Sequence, residues 1–311
     1  MIDTLRPTAF EGESDIEELH SFFQSDVQSA GDTLWTFGTS LKSAYVNSFE
    51  FMHHAPIVTL WREPEGGVGA VSRISLGTGE WFHLARPEYR RPEVAATLIA
   101  YADAAFELLT DRVDWQTVRY ESKTTEITEL EQAGYARNDI AEVYMTRALD
   151  DPIAEVPCPA GLRIGLLDPT DPQERALAQV DAFSNGAPSP AQIAWMSRSI
   201  VHQLSYGRPH HHPSVIAFDQ DGRVEAFADP FFDRTNRIGE FEPVGTRTPS
   251  QRRGLGKAVI TRGLQEMRDN SMTQAVVRTG IENAAAIAAY ESVGFETTDL
   301  LIRFRKPRAT G

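Results

Sequence analysis

The residues with the clearest chemical potential are Gln251-Arg252-Arg253-Gly254-Leu255-Gly256-Lys257. Glycine has no Cβ, so the backbone at Gly254 and Gly256 can come close to a ligand. An amphipathic stretch begins here, and a helix start offers unpaired N–H groups and the positive end of a dipole. Arg252, Arg253 and Lys257 add formal charge. Together these features suit a pyrophosphate, while a plain strand-to-helix turn with solvated arginines is the simpler alternative. The segment is neither a Walker loop, since no Gly-Lys-Ser/Thr follows, nor the dinucleotide pattern Gly-x-Gly-x-x-Gly. Upstream, Glu240 and Glu242 alternate on an expected strand and so share one face. They are candidates for a general base, for binding a cationic substrate, or for a solvated strand edge.

These residues need elements to position them. Gly239–Thr246 reads as a strand leading into the loop. Gly254–Asp269 reads as a helix, with Leu255, Val259, Ile260, Leu264 and Met267 at helical spacing. Leu162–Leu167, Ser214–Phe218, Val224–Phe232, Ala275–Thr279 and Leu300–Arg305 read as strands. Pro172–Phe183, Pro190–Leu204 and Ala284–Ser292 read as helices, and Asp219–Gly222 as a turn. Strands alternating with helices imply an α/β or α+β fold.

The chain also reads as a duplication. Residues 86–99 (RPEYRRPEVAATLI) align without a gap to residues 247–260 (RTPSQRRGLGKAVI), at an offset of 161. Leu130–Tyr135 (LEQAGY) aligns with Tyr290–Phe295 (YESVGF) at an offset of 160, and Leu5-Arg6 with Leu162-Arg163 at 157. The proline-bearing stretch DDPIAEVPCPAG marks a linker. The expected organisation is thus a first domain at 1–149, a linker at 150–161 and a second domain at 162–311.

Through Gly254 and Gly256, the second half resembles the GCN5-related N-acetyltransferase (GNAT) superfamily. The loop resembles its Gln/Arg-x-x-Gly-x-Gly/Ala motif. Asn283-AAAIAA-Tyr290-ESV-Gly294-Phe295 resembles its Asn-x-x-Ala-x-x-x-Tyr-x-x-x-Gly-Phe signature. The resemblance covers 162–306 directly and 1–149 only through the repeat. It implies two tandem domains, each a mixed, mostly antiparallel twisted sheet flanked by helices. It implies acetyl transfer from acetyl-CoA to an amine by direct attack in a ternary complex, without a metal. By position, Val244, Gly245 and Thr246 would pair with the pantetheine arm and acyl carbonyl. Arg252, Arg253, Gly254, Leu255, Gly256 and Lys257 would cradle the pyrophosphate, and Asn283 would contact the chain near the pantetheine. Tyr290 would protonate the departing thiolate. Glu240 lies where some members carry a base, with Glu242 or water as alternatives. The acceptor would be the amine of a small molecule or peptide. A non-catalytic acyl-CoA sensor or a pure interaction protein are the rival readings.

The same alignment makes the first half look silent. Glu93 falls opposite Gly254, Ala95 opposite Gly256, Pro92 opposite Arg253, Leu130 opposite Tyr290 and Lys123 opposite Asn283. A carboxylate at the cradle repels a phosphate. The charge agrees: residues 1–150 carry 25 acids and 12 bases, and residues 151–311 carry 19 and 18, within a total of −14. The first half is therefore expected to bind no CoA and to extend the sheet, shape the acceptor pocket or support a homodimer. The acidity argues against nucleic acid or an anionic membrane as partner, and no apolar run approaches the ~18–20 residues of a membrane span. A lone cysteine, Cys158, permits no intrachain disulfide, and the N-terminus has no signal-peptide pattern, so the expected location is cytoplasmic. Asn185, Trp195 and Tyr206 are candidates to line the acceptor site, and Phe231-Phe232 either flank it or fill core. His53-His54 and His210-His211-His212 are expected to be loop residues rather than metal ligands.

Overall fold

A computed structural model describes residues 5–11, 13–30, 57–76, 78–109, 111–167, 172–183, 189–206 and 214–308. In chain order, the first half contains β1 (Arg6–Ala9), α1 (Glu13–Ala30), β2 (Ile57–Arg62), β3 (Val68–Ser75), β4 (Glu80–Ala85), α2 (Pro92–Leu109), β5 (Asp114–Tyr120), α3 (Thr124–Gln132) and β6 (Ala136–Ala148). The second contains β7 (Arg163–Leu166), α4 (Gln173–Phe183), α5 (Pro190–Tyr206), β8 (Val215–Phe218), β9 (Val224–Asp233), β10 (Ile238–Thr246), α6 (Leu255–Asp269), β11 (Gln274–Gly280), α7 (Ala284–Glu291) and β12 (Glu296–Pro307). The packing forms two units. One holds the described residues through Val143 together with those from Asp299 onward, and the other holds Tyr144–Thr298.

Each unit is a mixed, mostly antiparallel sheet with helices against it. In the first, β1 to β4 pair antiparallel in succession, and β4 meets β5 in parallel at the single pair Glu80–Gln116. In the second, β7 to β10 repeat the antiparallel succession, and β10 runs parallel to β11 from Ile238–Gln274 to Glu240–Val276. The repeat is visible in the elements themselves: β5, α3 and β6 begin 160 residues before β11, α7 and β12. Gly134 and Gly294, at corresponding positions, hold φ of +87° and +90°, a left-handed turn that a side chain would strain.

The chain's last strand completes the first unit. Leu301–Pro307 of β12 pair antiparallel with Asp114–Tyr120 of β5, bringing a basic strand into the acidic half. Lys306 Nζ lies 2.6 Å from Asp103, Arg303 2.6 Å from Asp139, Arg305 3.5 Å from Asp114 and Arg308 3.2 Å from Glu107. Ile302 and Phe304 on the same strand enter the first unit's core with Trp81, Phe106 and Trp115.

In the second unit, Ile216, Val224 and Phe227 of the sheet pack with Ala176 and Ala178 of α4 and Ile200 of α5. The apolar stripe of α6 is buried as its spacing requires, with Leu255, Val259, Ile260, Leu264 and Met267 all at or below 1% exposure. Phe231 and Phe232 fill core and are fully buried. Asn185, His53-His54 and His210–His212 lie outside the described residues, as does the side chain of Tyr206. Trp195 is half-buried on α5.

Candidate active site

The site begins where two strands part. β10 and β11 stay paired only through Glu240–Val276. Beyond that point β10 continues to Thr246, still paired to β9 through Val244–Ala228, Gly245–Phe227 and Thr246–Ala226. Its other backbone edge at Val244, Gly245 and Thr246 has no strand partner among the described residues, and the Thr246 carbonyl accepts from the Gln251 side chain at 3.4 Å. The register with β9 breaks between Phe241 and Val244, at a proline that has no N–H to give to a ladder. Strand alternation, expected to align Glu240 with Glu242, therefore stops governing the chain at Glu242. Glu240 is buried on the paired part of β10, while Glu242 at the irregularity is half-buried.

Gly245 has a packing reason to be glycine: a Cβ there would sit 2.4 Å from Cζ of Phe227. Phe227 is itself capped by the guanidinium of Arg175, 3.5 Å from the ring centroid. Arg175 is fully buried and pairs with Asp229 at 2.6 Å and Gln179 at 2.8 Å. This polar support beneath β9 carried no sequence signal, because Arg175 and Asp229 are separated by 54 residues and no local pattern marks either.

After Thr246 the chain makes a short 3-10 turn, Thr248–Ser250, and then the loop. Two carboxylates fasten the turn: Asp181 accepts from the Thr248 amide at 2.8 Å, and Glu225 accepts from the Ser250 hydroxyl at 2.6 Å. Arg252 and Gly254 then take left-handed conformations, φ 61° and 83°. A Cβ on Gly254 would meet open space, so glycine is needed there for its dihedral rather than for room. Gly254 caps α6 without a side-chain hydrogen bond, and the first turn of α6 has no acid. The leading amides of that helix have no intrahelical acceptor. Arg252 and Arg253 are exposed and Lys257 is half-buried. None of the three side chains makes a hydrogen bond or ion pair among the described residues. A concave run of amides with uncommitted cations beside it is what a diphosphate requires.

The first unit builds the same turn with opposite chemistry. Glu93 stands in the first turn of α2, with Pro92 as its first residue. Arg91 lies 3.9 Å from Glu93, and Arg90 donates to the Ala85 carbonyl at 2.9 Å.

Tyr290 projects from α7 and is almost fully buried, edge-on to Phe295 with ring centroids 5.6 Å apart. Its hydroxyl makes no hydrogen bond among the described residues. Burial, and then the nearby Glu242 carboxylate, raise its pKa above the ordinary tyrosine value. A buried phenol beside a carboxylate remains protonated and able to donate. Asn283 begins α7, its Oδ1 accepting from the Ala286 amide at 3.1 Å. Cys158 is partly buried, which raises its thiol pKa and disfavours the thiolate. Among the described residues, no group of three or more His, Cys, Asp or Glu is arranged to hold a metal ion, and no helix is long and apolar enough to cross a membrane.

Residues 179–295 match the Acetyltransferase (GNAT) family, and this part of the chain is similar to that family. The chain is also similar to mycothiol acetyltransferases. That of Streptomyces coelicolor is 36% identical over 87 residues, covering 27% of this chain and 28% of the relative. That of Arthrobacter sp. strain FB24 is 26% identical over 242 residues, covering 75% and 72%. The chain thus spans under a third of the length of the Streptomyces coelicolor relative, and nearly three-quarters of the Arthrobacter one. A tandem GNAT protein from the clavulanic acid biosynthesis pathway shares the fold at a TM-score of 0.74 with 16% identity, over 99% of each chain. A GNAT protein from Sphaerobacter thermophilus does so at 0.62, also with 16% identity, covering 99% of this chain and 97% of that one.

Proposed function

We propose that the second unit is an acyl-CoA-dependent N-acetyltransferase that moves an acetyl group from acetyl-CoA to an amine. The observation that carries this reading is the parting of β10 from β11 after Glu240–Val276, directly ahead of an acid-free helix start flanked by Arg252, Arg253 and Lys257. The free edge of Val244–Thr246 suits the amide-rich pantetheine arm and the thioester carbonyl. The amides of Gly254, Leu255 and Gly256 suit the pyrophosphate. Asn283, already capping its helix, has its amide NH2 left to reach the arm.

Chemistry then proceeds by direct attack. An amine is mostly protonated at neutral pH and must lose its proton to become a nucleophile. Glu242 lies near enough to Tyr290 for its charge to raise the phenol pKa, which supports it as the base, with buried Glu240 or a water relay as alternatives. The amine nitrogen attacks the thioester carbon and the C–S bond breaks. The Tyr290 hydroxyl donates its proton to the departing sulfur. No acyl-enzyme is required, and Cys158 takes no part.

The likeness to mycothiol acetyltransferases favours a small-molecule acceptor over a peptide. The test is acetyl-CoA with a panel of small amines, including amino sugars and cysteinyl amines, following release of free CoA thiol. Turnover with at least one amine supports the proposal. Tight acetyl-CoA binding without turnover on any amine would leave a sensor, and absence of binding would remove both readings.

A further inference from the structure

We propose that Asp181 and Glu225 are positioning residues for the cofactor loop, holding it in the shape that receives the diphosphate of acetyl-CoA. This rests on the reading of the second unit as an acyl-CoA-dependent enzyme, and adds to it two side chains that touch no substrate. Both are acids bonded to the turn that leads into the loop. By charge alone each should weaken the binding of a phosphate, since like charges repel. Their contacts give the opposite expectation.

The turn Thr248–Ser250 is held from two sides. From α4, Asp181 Oδ2 accepts from the Thr248 amide at 2.8 Å. From the start of β9, Glu225 acts twice. Its carbonyl accepts from the Arg247 amide at 2.9 Å, and its Oε2 accepts from the Ser250 hydroxyl at 2.6 Å. Ser250 is buried, and Arg252 follows it by two residues with φ 61°, ahead of Gly254 with φ 83°. Left-handed backbone at a residue other than glycine is strained and persists only where its surroundings fix it. The same helix α4 carries Arg175, whose guanidinium caps the Phe227 ring that lies against Gly245. One helix therefore sets both the strand edge and the loop.

The first unit makes a closely similar turn without these anchors. Its 3-10 turn is Pro87–Tyr89, entered at Arg86 with φ −58° and ψ 153°, near the −53° and 141° of Arg247. The Arg86 amide donates to the Gly69 carbonyl at 2.8 Å, the counterpart of the Arg247–Glu225 backbone bond. Pro87 stands in place of Thr248 and has no amide hydrogen for a carboxylate. Gly69 stands in place of Glu225 and has no side chain to offer. Tyr89 stands in place of Ser250, and its ring fills the space instead: a Cβ on Gly69 would lie 2.9 Å from Tyr89 Cε2. The two carboxylate anchors thus accompany the loop with Gly254 and Gly256, and their counterparts beside the loop with Glu93 and Ala95 cannot make them. The turn itself forms without them, so what they serve is the loop that follows it.

Calorimetric titration of the full chain with acetyl-CoA, beside melting curves without ligand, tests this. Thr248→Pro deletes the amide donor and leaves every charge in place, and Pro87 shows that such a turn accepts proline there. It should weaken acetyl-CoA binding on the order of tenfold, the value of one charge-assisted hydrogen bond, with little change in melting temperature. Asp181→Ala should do the same although it removes a negative charge. Asp181→Asn keeps a carbonyl oxygen as acceptor and should restore most of the affinity. Ser250→Ala, which releases Glu225, should act in the same direction. In steady state the loss should fall on the KM for acetyl-CoA and not on kcat at saturation. Tighter binding by Asp181→Ala would mean that charge outweighs position. Unchanged affinity in Thr248→Pro and Asp181→Ala would mean that the loop holds its own shape. Equal loss in Asp181→Ala and Asp181→Asn with a lowered melting temperature would mean that Asp181 serves the fold. Each of these overturns the proposal. Wild type that bound no acetyl-CoA would instead remove the enzymatic reading itself, whereas wild type that binds beside indifferent variants removes only the positioning roles.

Discussion

Lys123 and Asn283 hold the same backbone conformation, φ −86° and ψ 63°, at the starts of α3 and α7, yet only Asn283 closes its helix with a side-chain hydrogen bond. Their equal geometry and unequal chemistry describe the two units in general. The backbone of the repeat has been kept, while the groups proposed to touch CoA in the second unit have other counterparts in the first. Leu130 and Tyr290 are likewise both buried at one helical position, and only the latter has a proton to give.

The first expectation follows from that divergence. Calorimetric titration with acetyl-CoA should give one site per chain. Glu93 adds a negative charge to the first turn of α2 where α6 has none, and Arg90 and Arg91 are already engaged. A stoichiometry of two would contradict this account of the first unit.

Much of this was legible in the sequence, for physical reasons that differ by element. The stripe Leu255, Val259, Ile260, Leu264 and Met267 announced α6, because a helix against a sheet must bury one face. Most strand and helix boundaries of the second half followed from its turns, although the last strand, expected at Leu300–Arg305, runs Glu296–Pro307; Asp219, for instance, binds the amides of Asp221 and Arg223 through one oxygen, both at 2.9 Å. Hidden from the sequence were relations between distant residues. No pattern near Leu301–Pro307 says that it pairs with Asp114–Tyr120, although its run of basic residues against an acidic half is intelligible afterwards. The Asp181 and Glu225 anchors of the loop turn and the Arg175–Asp229 pair are contacts of the same kind. The irregularity at Glu242-Pro243 also defeated simple strand alternation, since a proline at that point interrupts the ladder on which alternation depends.

Arg253→Ala should weaken acetyl-CoA binding by several-fold without lowering the melting temperature. Arg253 is exposed and has no partner among the described residues, so folding loses nothing, whereas one phosphate contact is worth roughly 1 kcal/mol near a surface. The difference between wild type and variant should shrink as salt is raised, because exposed charges are screened over ~10 Å at 0.1 M. Titrations at two ionic strengths check both statements. A fall in melting temperature with unchanged affinity would mean that Arg253 serves the fold instead.

Arg175→Met should destabilise the second unit by about 3–5 kcal/mol, because it leaves Asp229 buried and unpaired. For a unit of this size that corresponds to a fall in melting temperature on the order of 10 °C. Replacing Asp229 with valine in the same chain should restore most of the loss, since two apolar side chains need no solvation. Calorimetry of the single and double variants separates an ion pair that must be kept whole from one that only fills space. Arg175 caps Phe227, and Phe227 lies against Gly245, so the single variant should also weaken acetyl-CoA binding through the cleft strand.

Tyr290→Phe should lower kcat by about 100-fold, within the range typical of a positioned general acid, while leaving the acetyl-CoA dissociation constant unchanged. The hydroxyl has no hydrogen bond among the described residues to lose, so stability should be preserved. The pH dependence gives a sharper check. Because burial and Glu242 raise the Tyr290 pKa above 10.0, the acid stays protonated throughout the neutral and mildly alkaline range. The rate should therefore show no alkaline fall from this group below about pH 10. Linkage adds a consequence for stability: a group whose folded pKa lies above its unfolded value contributes fully below the unfolded pKa. That contribution is lost as pH rises from about 10 toward the folded pKa, since the unfolded chain ionises first. Wild type should thus lose stability above pH 10 faster than Tyr290→Phe. Parallel melting curves for the two proteins between pH 8 and about 11 would decide the matter, and curves that keep a constant separation would show that Tyr290 does not titrate as a buried phenol.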